Sequence, residues 1–236
     1  AQPNIKQIIK QEYIKCAKDP VYFMKKYCWI QHPTRGRVQF NLYPFQEGAL
    51  NLLQKNDRNI ILKSRQLGIS TLSAGISLWM MVFQKDKAIL VVATKQDTAK
   101  NLVTKVKFMY DNLPSWLQIG FTENNKLALR LKNGSQVKAV SAASDAGRSE
   151  AISLLIIDEA AFIETNKIDE IWGSSQQTLS TGGRAIVLST PNGTGNFFHK
   201  MWTKAEEGTN GFVPIKLHWS VHPERNQEWR DKQDDE

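Results

Sequence analysis

Cysteine is nearly absent from this chain: Cys16 and Cys28 are the only two in 236 residues. One disulfide could not staple a domain of this size, and Cys and His are too few and too dispersed for a zinc cluster. A reducing compartment is therefore expected. Proline (8) and glycine (14) are also sparse, which excludes collagen-like and low-complexity chains. No apolar run approaches the roughly 18 residues that a membrane span needs. The first residues alternate Lys, Gln and Glu with Ile, unlike a secretory leader. Internal repeats are lacking too. What remains is a composition with 41% hydrophobic and 23% charged residues, which fits one large globular domain or a domain with a small appendage.

Acidic residues are in the minority. Thirty-one Lys and Arg against 23 Asp and Glu leave a net charge of +8, which favours a polyanionic partner. The excess is concentrated between residues 85 and 138, where ten basic residues face four acidic ones; residues 224–236 lean acidic instead. Lys100, Lys105 and Lys107 fall on one predicted helix and form a candidate nucleic-acid face, with a merely solvated helix as the alternative.

Residues 4–28 read as one or two helices, with Asp19-Pro20 as the break. A turn at Pro33–Gly36, a short strand over Val38–Leu42 and an amphipathic helix over Pro44–Gln54 follow. From Asn59 the pattern changes. Short buried strands are expected at Asn59–Lys63, Ala88–Ala93, Leu154–Ile157, Arg184–Leu188 and Phe212–Leu217. Helices are expected over Ile69–Val82 and Gln96–Asn112. Asn133-Gly134 marks the turn of a hairpin within Leu127–Ala142. Apolar strands separated by helices imply an α/β fold with a mainly parallel central sheet and helices on both faces. Residues 220–236 are polar and without apolar period, as in a tail or hinge.

Four constellations carry chemistry. Lys63-Ser64-Arg65-Gln66-Leu67-Gly68-Ile69-Ser70-Thr71 joins a buried strand to a helix, where backbone N–H groups and a helix N-terminus suit an anion. Gly68 and Ser70 match the last Gly and the hydroxyl of G-x-x-x-x-G-K-[ST]. Lys63 stands at the first Gly position and Ile69 at the usual Lys position, so an ordinary strand–helix turn capped by Ser70 is an open alternative. Asp158-Glu159 follows the apolar strand at the edge where α/β sheets bind ligands. There Asp158 suits a metal's water shell and Glu159 suits polarising a water, the alternative being two acids favoured by a helix dipole. Ser189-Thr190-Pro191-Asn192-Gly193 follows another buried strand, as a phosphate-sensing segment or a simple turn. Finally, Gln46 in Tyr43-Pro44-Phe45-Gln46 has an amide that can both give and take a hydrogen bond at an adenine edge, or be a surface residue of its helix.

In this order and spacing the four segments resemble the ATPase motor domain of the terminase large subunit of tailed bacteriophages, over roughly residues 20–225. Some members of that family carry a deviant phosphate loop with Lys at its first position and none before the hydroxyl residue, as in Lys63–Ser70 here. The resemblance implies a P-loop NTPase of the additional-strand catalytic-Glu (ASCE) type. It implies an ATPase domain over 1–219, comprising a helical part (1–58) with the adenine-side motif and a core (59–219). Residues 220–236 would be a tail or hinge towards a nuclease domain absent from this sequence, so no nuclease activity is expected here. ATP and Mg²⁺ are the implied ligands. Gln46 and Lys63–Thr71 would bind nucleotide, with Lys63 reaching the β/γ-phosphates and Arg65 at the γ-phosphate. Ser70 and Asp158 would hold the metal, and Glu159 would be the catalytic carboxylate. Ser189, Thr190 and Asn192 would couple the site to its neighbours. Asp145–Ser149 resembles the family's loop whose Arg, here Arg148, reaches a neighbouring subunit's nucleotide. Double-stranded DNA, the portal and procapsid, and the small terminase subunit are the implied partners. A ring of copies (a pentamer) is implied when assembled, and a monomer in isolation, with no membrane. The setting would be the cytoplasm of an infected bacterium, transiently on the procapsid. A helicase- or translocase-type ATPase, or a nucleic-acid-binding module with a dead nucleotide site, are the alternative readings.

Overall fold

Asp19 divides the N-terminal helical stretch in two. In the computed structural model, which describes residues 2–142 and 151–234, α1 (Ile5–Lys18) is closed by Asp19. The Asp19 side chain then accepts hydrogen bonds from the N–H groups of Val21 and Tyr22, starting α2 (Pro20–Tyr27) with Pro at its first position. The two helices are fastened through one carboxylate. Glu12 accepts from the hydroxyls of Tyr27 (2.5 Å) and Tyr22 (2.8 Å) and from the Lys26 ammonium (3.0 Å). These donors, the Tyr27 hydroxyl foremost, hold its carboxyl down at about 2. Trp79 ties the pair to the body by donating its indole N–H to Cys16 O at 2.8 Å.

A hairpin follows, β1 (Trp29–His32) with β2 (Gly36–Gln39). The sequence suggests a later strand, Val38–Leu42. The difference arises because Gly36, at φ 69°, lets pairing begin immediately after the Pro33–Arg35 turn. Next come α3 (Pro44–Lys55), β3 (Arg58–Lys63), α4 (Ile69–Phe83), β4 (Ala88–Ala93) and α5 (Gln96–Asp111). Beyond them are β5 (Phe121–Asn124), β6 (Ala128–Leu131) and β7 (Gln136–Ser141), the last two forming the hairpin around Gly134. From residue 151 onward lie β8 (Leu154–Ile157), α6 (Thr165–Leu179), β9 (Arg184–Ser189), α7 (Phe197–Glu206) and β10 (Val213–Leu217).

Eight of these strands form one sheet in the order β10-β3-β9-β8-β4-β7-β6-β5. The first six run parallel, and β6 and β5 extend it antiparallel. Alternate strand residues enter two separate cores, so the sheet is covered on both faces. Ile61, Val91 and Ile156 pack with α1 to α5, whereas Ile60, Val92 and Ile157 pack with α6 and α7. Between them α4 is buried along nearly its whole length, and a Cβ at Gly75 would lie 2.9 Å from the thioether of Met24 on α2. Parallel pairing brings the C-terminal ends of β3, β8 and β9 to one edge, and that edge carries Lys63, Ile157 and Ser189.

Residues 220–236, expected to be a tail or hinge, are ordered where described. A 3-10 turn at Trp219–Val221 leads to α8 (Gln227–Asp234), and this segment lies against the loop that follows β3. Its contacts are made by side chains onto distant backbone, which no apolar period reveals.

Candidate active site

The loop after β3 is shaped by two left-handed residues. Gln66 has φ 57° and Gly68 has φ 73°, the latter at the N-terminus of α4. Gly68 has a further reason to lack a side chain, since a Cβ there would meet Gln46 Nε2 at 2.6 Å. That close approach exists because Gln46 is a strut. Its Nε2 donates to Leu67 O at 3.1 Å, while its Oε1 accepts from Tyr43 N at 2.9 Å. Gln46 is only 5% exposed. Its amide thus braces the loop against the start of α3 with one N–H and one lone pair to spare.

Ile69 is 1% exposed and belongs to the core packed by α4. A side chain at this position points inward, which accounts for an apolar residue where a phosphate-binding lysine usually stands. Lys63, at the other end of the loop, lines an open cleft with Ser64, Arg65, Gln66 and Thr190. Gln66 also lines a second recess on the far side of the loop, together with Tyr43, Gln46, Gly68 and His222.

Ser70 and Asp158 are 88 residues apart in sequence and meet directly. Ser70 donates its hydroxyl to Asp158 Oδ2 at 3.1 Å, and Asp158 Oδ1 accepts from Glu159 N at 2.9 Å. Asp158 is 5% exposed, so a hydroxyl and a carboxylate converge in a nearly dry position. Such hard oxygen donors suit Mg²⁺, which binds through one or two protein oxygens and takes waters and phosphates for the rest. Among the described residues no three His, Cys, Asp or Glu side chains converge. Glu159 is exposed beyond this pair and adopts φ 51°, ψ 41°, a left-handed backbone that costs a non-glycine residue about 1–2 kcal/mol.

The Ser189–Gly193 segment hydrogen-bonds to the acidic strand's exit. Ala161 N donates to Ser189 Oγ at 3.1 Å, and Asn192 Nδ2 donates to Ala161 O at 3.1 Å. The backbone two residues after Glu159 is therefore clamped from both sides. Arg148 lies outside the described residues.

Lys105 of α5 also lies near this region. It is exposed on α5 and lines a recess beside Thr71, Thr104 and Phe108, whereas Lys100 and Lys107 are half-buried. Desolvation in the recess pushes its pKa down, while the Asp158 carboxylate pulls it up and Lys63 pushes it down. Its ammonium is therefore within the field of the site. Helical spacing put Lys105 on α5 correctly, but nothing in the sequence says that α5 packs on α4.

The family model of the terminase large subunit of T4-like-virus type, N-terminal, matches residues 60–233. Among solved structures, the large terminase ATPase domain of Thermus phage P74-26 superposes with a TM-score of 0.68 at 21% identity, covering 82% of this chain and 88% of that one. The bacteriophage HK97 large terminase gives 0.68 at 18% identity over 91% of this chain, which spans 46% of that protein's length. A large terminase from a thermophilic bacteriophage, in complex with ATP-γ-S, gives 0.62 at 11% identity, covering 82% of this chain and 49% of that one.

Proposed function

Since the chain belongs to the terminase large subunit family, as the N-terminal part of the T4-like-virus type, we propose that it is the ATP-hydrolysing motor domain that drives double-stranded DNA into a procapsid. The observation that carries this reading is the junction of Ser70 and Asp158 at 3.1 Å, with Glu159 exposed beside it. It joins the phosphate loop to the acidic strand at one point, where a bound Mg²⁺ would neutralise charge on the β- and γ-phosphates.

In this reading Lys63 and Arg65 take the phosphate oxygens, and the remaining N–H of Gln46 meets the base. Glu159 accepts a hydrogen bond from a water. As that water's oxygen bonds to the γ-phosphorus, its proton passes to Glu159 and then to the released phosphate, and the bond from phosphorus to the β,γ-bridging oxygen breaks, giving ADP and phosphate. Loss of the γ-phosphate shifts Glu159, and the clamp of Ser189 and Asn192 on Ala161 carries that shift to the elements after β9. Lys105 adds a third cation, on the α5 side of the site.

The test is Mg²⁺-dependent phosphate release from ATP. Glu159→Ala should abolish it while nucleotide binding survives, because the carboxylate acts on water and not on the bound ground state. Retained turnover per bound nucleotide in that variant would rule out the assignment. We further propose that Arg148 serves the site of a neighbouring copy in a ring. Arg148→Ala and Glu159→Ala proteins, each inactive alone, should then regain turnover on mixing, and no recovery would place Arg148 elsewhere. The portal, the procapsid and the small terminase subunit are the proposed docking partners, in the host cytoplasm. Cosedimentation with procapsids checks them. Among the described residues no helix is long and apolar enough to cross a membrane.

A further inference from the structure

Arg225 stands outside every motif, in the segment after β10, yet it makes two hydrogen bonds to the phosphate loop. Its Nη1 donates to Arg65 O at 2.9 Å and its Nη2 to Gln66 O at 2.8 Å. A guanidinium fork giving two bonds to consecutive carbonyls fixes a peptide orientation in a way one bond cannot. Where successive carbonyls of a loop are drawn to one side, its N–H groups are left to face the other, which is what an anion needs. Gln66, one of the two acceptors, is the residue in left-handed conformation, so the fork sits at the strained bend of the loop.

The guanidinium is itself held. It lies 4.5 Å above the ring of Trp229 on α8, and Trp229 packs on Trp219 with centroids 5.9 Å apart. Arg225 N donates to His222 O, and the His222 ring lies 4.7 Å from that of Tyr43, beside the Gln46 strut. The segment therefore touches the site at the loop, at the base-side recess and at the cleft that Lys63 lines.

We infer that Arg225 is a positioning residue for ATP turnover: it sets the peptide orientation of the phosphate loop and ties the loop's movements to α8. This rests on reading Lys63–Thr71 as the phosphate loop. Hydrogen exchange of the nucleotide-free chain tests the first half. Arg225→Ala should raise exchange of the amides in residues 64–68 roughly tenfold, the size of one lost charge-assisted bond at a partly solvated position, and Arg225→Lys should restore part of the protection. Unchanged exchange overturns the inference. Adding ATP tests the second half. In the parent chain ATP should alter exchange over residues 227–234, and in Arg225→Ala that response should vanish while Glu159→Ala retains it. The same variant should show a raised KM for ATP. ATP that binds the parent chain without any response in α8 overturns the inference and leaves the proposed function standing. ATP that does not bind the parent chain removes both.

Discussion

In the proposed reading, Ile69 and Lys63 together determine how this loop meets phosphate. The Ile69 side chain is sealed in the core, and the half-buried Lys63 faces the cleft. Lys63→Ala should therefore cost nucleotide affinity or rate by about 1.5–3 kcal/mol, the worth of a charge-assisted hydrogen bond. Ile69→Ala should instead lower stability by about 2–5 kcal/mol through an unfilled cavity, with little effect on ATP affinity of the folded fraction. Nucleotide titration and denaturant melts of the two variants separate these outcomes. Equal losses of affinity would mean that the loop contacts phosphate through its backbone alone. At this scale much of the site is legible in sequence, because Asp158 and Glu159 directly follow four apolar residues and Ser70 sits two after a glycine. Arg225 is not legible, since its partners are carbonyls 160 and 159 positions away and a carbonyl carries no side-chain identity.

At the level of elements, β3, β4, β8 and β9 can be read from sequence because each is an uninterrupted apolar run between turn residues. α6 escapes notice: Thr165–Leu179 carries Gly173, Ser174 and Ser175 in its middle and has few apolar residues to mark a face. β1 is too short for its alternation to register. The α1–α2 junction gives a pH prediction. Glu12 is held at about 2 when folded, against an ordinary value of 4.5. Its folded pKa is depressed, so its stabilising effect is complete above about 4.5 and fades as pH falls towards 2. Glu12→Gln should therefore melt earlier than the parent chain at neutral pH, and the gap should close in acid. Thermal melts followed by circular dichroism across pH 7 to 2 would show this, and a gap independent of pH would assign the difference to packing.

For the molecule as a whole, the +8 charge supports DNA binding that ignores sequence and weakens steeply with salt, because released counterions drive it. Because Lys105 lines the recess beside Thr71, it is tested apart from Lys100 and Lys107, the other α5 candidates. Changing both to Glu should flatten the plot of log affinity against log salt by roughly 0.9 for each phosphate that is no longer neutralised. Lys105→Ala should leave that slope unchanged and reduce ATP turnover, whereas an unaltered slope in the double variant would clear α5 of any role at DNA. The strand order has a further consequence, for the chain's own synthesis. Among the described strands, β3, which leads into the proposed phosphate loop, pairs only with β9 and β10, whose residues follow more than a hundred positions later. At about 5–20 residues per second, a nascent β3 waits on the order of ten seconds for its first neighbour. Throughout that time its apolar Ile60 and Ile61 have no sheet to enter. The segment that leads into the proposed nucleotide loop thus waits unpaired and open to aggregation on the ribosome, and the loop takes its place only after β9 and β10 have been made.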